Sequence, residues 1–164
     1  MQGIPEFTEL HNYIENADFS DNHSQVIAYS GESALEIYLK VMNSTPGWVN
    51  YLMKLRNTLV SKIGLKHLGN FESFAPKTSS DDYQVGDQVG IFQMIYKSQN
   101  EVIMEDRDKH LNVKLSFHIA SNGDKATVTA SSVVHINNTI GRVYMCVVGP
   151  VHKLIVPATL RRIK

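Results

Sequence analysis

The chain has 164 residues, enough for one domain that buries a core without help from disulfides or metals. Sixteen basic residues offset sixteen acidic ones, so the cationic excess with which nucleic-acid binders neutralise phosphates is missing. Cys146 stands alone, the N-terminus MQGIPEFTEL lacks a basic-then-apolar leader, and Arg142, Pro150, His152 and Lys153 interrupt the apolar run from Ile140 to Val156, which together predict a cytoplasmic protein without a membrane span.

The chain reads as a single domain over residues 1–164, beginning with an N-terminal tail at 1–17. Residues 18–29 form a first strand in which the alternation is poor. Ser33 and Glu36 have capping-box spacing, and Leu35, Tyr38, Leu39 and Met42 then recur at helical intervals. Thr45-Pro46 starts a second helix with the apolar stripe Trp48, Leu52, Leu55, Leu59 and Ile63, and Gly64 stops it. Residues 66–90 hold Pro76, Gly86, Gly90 and a polar run from Lys77 to Asp82, which predicts a long loop, either a mobile flap or a surface excursion.

Four strands follow as a meander: Ile91–Lys97, Glu101–Asp106, His110–Ala120 and Lys125–Ile136. Asn122-Gly123 predicts a type I′ hairpin turn with Ser121 opposite Asp124. That register sets Leu111, Val113, Leu115, Phe117 and Ile119 against Val134, Ser132, Ala130, Val128 and Ala126 on an apolar face. A turn at Asp106–Lys109 would put Glu105 beside His110 and Met104 beside Leu111. Asn138 or Thr139 then caps a last helix, with Ile140, Val143, Tyr144, Val147 and Val148 on one side, continued by Val151, Leu154 and Ile155. Pro150 and Pro157 are expected to kink or interrupt it.

This order predicts an α+β fold in which the terminal helix covers the apolar face of a curved antiparallel sheet. Ala126, Ala130 and Ser132 are small, and small residues under a covering helix leave room for a cavity or for close packing; the layout favours a cavity.

The residues also resemble a known family. Pro46-Gly47-Trp48-Val49, Leu55-Arg56-Asn57, Gly64-Leu65, Val89-Gly90-Ile91-Phe92, Glu101-Val102-Ile103 and Asp108-Lys109-His110-Leu111 with Ser116 look like the bacterial "domain of unknown function 2867" family. So do Val133-Val134, Asn138, Gly141-Arg142-Val143-Tyr144, Pro150-Val151-His152 and Leu160-Arg161-Arg162. The resemblance covers most of residues 18–162, each motif being weak alone and the ordered set fairly specific. It implies a START-like (SRPBCC) helix-grip fold that holds apolar or amphipathic ligands between sheet and terminal helix. It also implies relatives that are cyclases or dehydratases, and domains joined to dinucleotide-binding oxidoreductases. No GxGxxG occurs here, and a fold alone licenses no reaction.

From this layout the candidate ligand-binding residues are Trp48, Arg56, Phe117, Val128, Ala130, Ser132, Tyr144 and Val148. Trp48 reads first as core. Arg56 could anchor an anionic group or pair with a surface carboxylate, and Tyr144 could offer its hydroxyl to a ligand or sit in the core. Glu105, His110 and His135 are expected side by side across three strands. They lie on the polar face, away from the cavity, so a hydrated row is expected there and no metal site. Cys146 reads as a buried thiol without a base, the terminal Arg161-Arg162-Ile163-Lys164 as a solvated helix end, and no serine has a G-x-S-x-G setting. No catalytic residue or cofactor is identified. The leading expectation is a non-catalytic domain that binds a small apolar or amphipathic molecule. One alternative is a cyclase, dehydratase or isomerase using Tyr144 or a nearby carboxylate. Another is a module that docks onto an NAD(P)-dependent oxidoreductase or pairs with a second copy.

Overall fold

Gly123 sets the register of the central hairpin. In the computed structural model, which describes residues 3–49, 51 and 79–163, its φ is 65° and Asn122 pairs with Lys125. The turn is therefore Gly123-Asp124, with positive φ confined to its first residue as a type II′ turn requires. The expected Asn122-Gly123 turn is displaced, and every pairing moves by two: Leu115 faces Ser132, Phe117 faces Ala130 and Ile119 faces Val128. The preceding hairpin moves by four, with Arg107 opposite Asn112 and Glu105 opposite Lys114. Extending both strands adds ladder pairs and lets the Asp108 carboxylate accept from the His110 amide. Both shifts are even, so each side chain keeps the face expected for it.

The strands are β1 (Phe19–Ala28), β2 (Gln88–Val89), β3 (Phe92–Lys97), β4 (Glu101–Arg107), β5 (Leu111–Asn122) and β6 (Lys125–Ile136). They form one antiparallel sheet in the order β1-β6-β5-β4-β3-β2. The expected loop at 66–90 contains β2 in its described part, because Gly90 at φ 67° permits a two-residue turn that pairs Val89 with Phe92. Ahead of it, Tyr83 is buried, and the Lys97 ammonium donates to the carbonyls of Ser80 and Tyr83 at 3.0 and 2.9 Å.

Helix α1 (Ala34–Asn43) begins where the sequence indicates. Ser33 and Glu36 form the reciprocal capping box, a device worth ~1 kcal/mol. Its Leu35, Ile37, Tyr38 and Val41 are buried in a core with Val102, Met104, Phe117 and Val128, and Tyr38 meets Phe117 edge to face at 5.4 Å.

Residues 3–17, expected as a tail, pack across the opposite face of the sheet. Ile4 and Leu10 are buried against Ile103 and Val133. The Glu101 carboxylate accepts from the amides of Glu9 (2.7 Å) and Leu10 (3.3 Å) and from the Ser116 hydroxyl (2.6 Å). A buried charge on a polar face is tolerable only when hydrogen-bonded in this way. Lys114, also buried, pairs with Glu105 at 2.8 Å and lies over the Tyr13 ring. The Phe7 ring meets that of His118 at a tilt of 57°, and at His118 burial lowers the affinity of the imidazole for a proton more than Glu101 restores it. The face expected to be hydrated is thus largely covered.

Helix α2 (Thr139–Leu160) runs unbroken through Pro150 and Pro157, with Asn138 capping it by accepting from the Gly141 amide. Each proline leaves a carbonyl four residues earlier without its helical donor. Those carbonyls belong to Cys146 and Lys153, both at exposed positions where water can serve them. The continuous helix is long and apolar enough, by length and composition, to cross a membrane. Its two sides are both apolar, which the expected single stripe did not separate: Tyr144, Val148, Val151 and Ile155 turn towards the sheet, and Ile140, Val143, Val147 and Leu154 are exposed.

Candidate functional site

Helix α2 is pinned at its ends and stands off the sheet between them. At its first turn, Gly141 lies so close to the β4–β5 hairpin that a Cβ there would stand 2.4 Å from the His110 carbonyl oxygen. At its far end, Leu160 and Ile163 enter the main core beside α1. Between these anchors a cavity of about 230 Å³ separates helix from sheet.

Its floor comes from alternate residues of three strands, Phe19 on β1, Ala130, Ser132 and Val134 on β6, and Val113, Leu115 and Phe117 on β5. Ala130 and Ser132 keep the middle of the floor low, and a side is closed by Val41 and Met42 at the end of α1 with Thr45 and Val49 just beyond it. An apolar cavity of ~150 Å³ admits benzene, so this one accommodates a bicyclic ring or a ring with a short chain. The polar groups on its lining are few: Ser132, Thr45, Tyr144, Thr159, His152, Asp106 near the end of β4 and Asp108 in the turn after it.

Five of the expected ligand-binding residues, Phe117, Ala130, Ser132, Tyr144 and Val148, line this space. Val128 does not. It sits two residues along β6, fully buried against the packed end of the core. Trp48 is 45% exposed instead of core, because the turn of helix at 47–49 points its neighbour Val49 inward to the cavity. Arg56, with the rest of the second helical stripe (Leu52, Leu55, Leu59, Ile63) and its Gly64 stop, lies outside the described residues.

Glu105, His110 and His135 are not brought together. The four-residue register shift sets Glu105 against Lys114. The His110 Nδ1 lies 3.0 Å from the Asn138 side-chain oxygen, and the His135 Nε2 lies 2.9 Å from the Glu15 carbonyl. Among the described residues no group of three His, Cys, Asp or Glu side chains is arranged to hold a metal ion. Cys146, expected to be buried, is exposed.

The sequence reading missed a polar pair at the edge of the cavity. Asp21 of β1 faces inward, directly opposite Ser132 in the ladder, and its carboxylate lies 3.3 Å from the Nδ1 of His152 on α2. A carboxylate only accepts, so Nδ1 donates and the second nitrogen, Nε2, carries the lone pair of the neutral ring. His152 lines the cavity, and the Phe19 ring meets it edge to face at 6.4 Å. Burial pushes the Asp21 carboxyl up, but the imidazoles of His152 and His23 and the Ser132 hydroxyl outweigh it and hold the group below its ordinary value. The His23 Nε2 stands 3.7 Å away, beyond hydrogen-bond reach. The signal was present in β1: the inward positions Phe19, Asp21, His23, Gln25 and Ile27 break the apolar alternation where a purely structural strand would keep it.

Over residues 13–159 the chain matches the model of a family described as "Protein of unknown function (DUF2867)". No curated protein and no solved structure matches it. The match spans most of the sequence, and the chain belongs to that family.

Proposed function

We propose that this member of a family without an assigned activity binds a small apolar or amphipathic molecule between its sheet and α2, in the manner of a START-like helix-grip domain. The observation that carries the reading is the 230 Å³ space under a helix anchored at both ends, apolar over most of its lining. Closely packed interiors rarely leave gaps of this size. Phe117, Ala130 and Val148 would meet the apolar body of the guest, and Ser132 and Tyr144 would meet its polar atoms. The domain would act in the cytoplasm without a cofactor.

The test is a thermal-shift series with 2-naphthol, indole and alkanoates of graded length. A guest at one hundred times its Kd stabilises by about 2.7 kcal/mol, and a domain of this size gains roughly 2–4 °C per kcal/mol. A rise of several degrees for the naphthalene-sized guests is expected, fading for chains too long for the cavity. If none of these compounds moves the transition, the binding reading fails.

The exposed residues of α2 support a second reading, in which a second copy of the chain docks there. Ile140, Val147 and Leu154 repeat at seven-residue spacing with Val143 and Pro150 between them, the seam geometry of paired helices. Sedimentation that gives a monomer across the accessible concentration range, unchanged in Val147→Glu, would remove it.

A further inference from the structure

We propose that Asp21 and His152 form a proton-transfer pair that acts on the molecule held in the cavity, with His152 Nε2 as the base and Asp21 as the positioning residue. The inference rests on the binding reading above, and adds to it a reaction class and a substrate class: proton abstraction from carbon in a small, largely apolar carbon acid.

The arrangement has the order such chemistry needs. Asp21 is buried and does not line the cavity, whereas His152 does. A guest in the cavity would therefore meet the imidazole and not the carboxylate. The Nδ1 bond of 3.3 Å selects the tautomer with its lone pair on Nε2, and that nitrogen has no bonding partner among the described residues. The His152 side chain is 29% exposed, so this nitrogen is open to a guest. The apolar walls strip water from a bound carbon acid, and the buried Asp21 carboxylate attracts the imidazolium that develops as the proton moves.

His23 on β1 stands 3.7 Å from the Asp21 carboxylate; the other titratable groups on the cavity lining are Asp106 from β4, Asp108 from the β4–β5 turn and Tyr144 from α2. Lys153, next to His152, is exposed. In the elementary step the Nε2 lone pair takes the proton, and the C–H electron pair becomes the enolate of an adjacent carbonyl. Return of the same proton to a different carbon completes an isomerisation, with no oxidant or reductant required.

The probe is 5-nitrobenzisoxazole, a bicyclic carbon acid of suitable size. Loss of its C3 proton to Nε2 turns the C–H pair into the nitrile as the N–O bond breaks, releasing a coloured phenolate. The imidazolium then returns its proton to water. We expect the protein to exceed an equal concentration of free imidazole by about 100-fold or more, the lower end of general-base effects, and 2-naphthol to suppress the reaction. His152→Ala should lose about 100-fold and recover in part when imidazole is added, a rescue that a merely structural histidine would not give. His152→Gln keeps a donor to Asp21 and covers the case in which alanine fails to fold; it should be as inactive. Asp21→Asn should lower kcat by about 10-fold with little change in KM.

Binding of 2-naphthol, followed by its own fluorescence, separates the two ideas. If 2-naphthol binds but turnover equals that of free imidazole, or survives in His152→Gln, the proton-transfer pair is wrong and the binding reading stands. If 2-naphthol does not bind, both fall.

Discussion

Replacing Ala130 with leucine tests the cavity directly. Ala130 is buried on β6 with its side chain on the cavity floor, opposite Phe117. Leucine adds three carbons, which a space of about 230 Å³ can receive. Each buried methylene contributes ~0.8 kcal/mol, so the transfer gain is about 2.4 kcal/mol; rotamer restriction and imperfect fit reduce this to roughly 1–2 kcal/mol. At roughly 2–4 °C per kcal/mol, the ligand-free variant should melt about 2–8 °C above wild type. The same side chain occupies the middle of the floor, so the shift produced by 2-naphthol should vanish. The assay is a pair of calorimetric scans for each protein, with and without 2-naphthol. A fall of 1–3 kcal/mol from overpacking, with ligand shifts retained, would mean that the floor is already filled and would refute the argument.

Other perturbations probe the elements that hold the site open. Gly141→Ala should destabilise by about 1–3 kcal/mol, since its Cβ would meet the His110 carbonyl at 2.4 Å. Gly149→Ala, on the same helix with nothing within 4 Å, should stabilise by about 0.8–1 kcal/mol through helix propensity; urea midpoints that move in the same direction for both would contradict the anchoring of α2. Glu101→Gln should cost about 1.5–3 kcal/mol, because the buried carboxylate accepts from Glu9, Leu10 and Ser116, and hydrogen exchange should show residues 9–13 loosening first. Asp21 has a lowered folded pKa, so its contribution to stability is complete above the ordinary carboxylate value and is lost as pH falls through the lowered one. The stability gap between wild type and Asp21→Asn, measured by urea titration from neutral to acidic pH, should therefore narrow on acidification; a gap independent of pH would count against the stabilised Asp21 carboxylate.

Local chemistry made much of this legible in advance. Ser33 and Glu36 marked the start of α1, the pair Asn138-Thr139 the start of α2, and period-two patterns marked β4 to β6, because caps and alternation depend on residues a few positions apart. The inward set of β5 and β6 was legible too, and with it the cavity residues Phe117, Ala130 and Ser132, since an even register error leaves a side chain on its face. Trp48 shows the limit: nothing in its apolar stripe says which residue of a helical turn meets the core.

Only the tertiary structure decided the rest. Whether the turn used Asn122-Gly123 or Gly123-Asp124 depended on a comparison of whole ladders, and the longer β4–β5 ladder, settled in the same way, separated Glu105 from His110. The pairing of Asp21 with His152 joins positions 131 residues apart, through a strand edge and a helix whose spacing no local pattern records. Sequence determined which faces are apolar and where the elements begin, because those follow from bonds within a few residues. The cavity and the groups at its edge exist because α2 is held at both ends by distant partners, which is a property of the assembled layers.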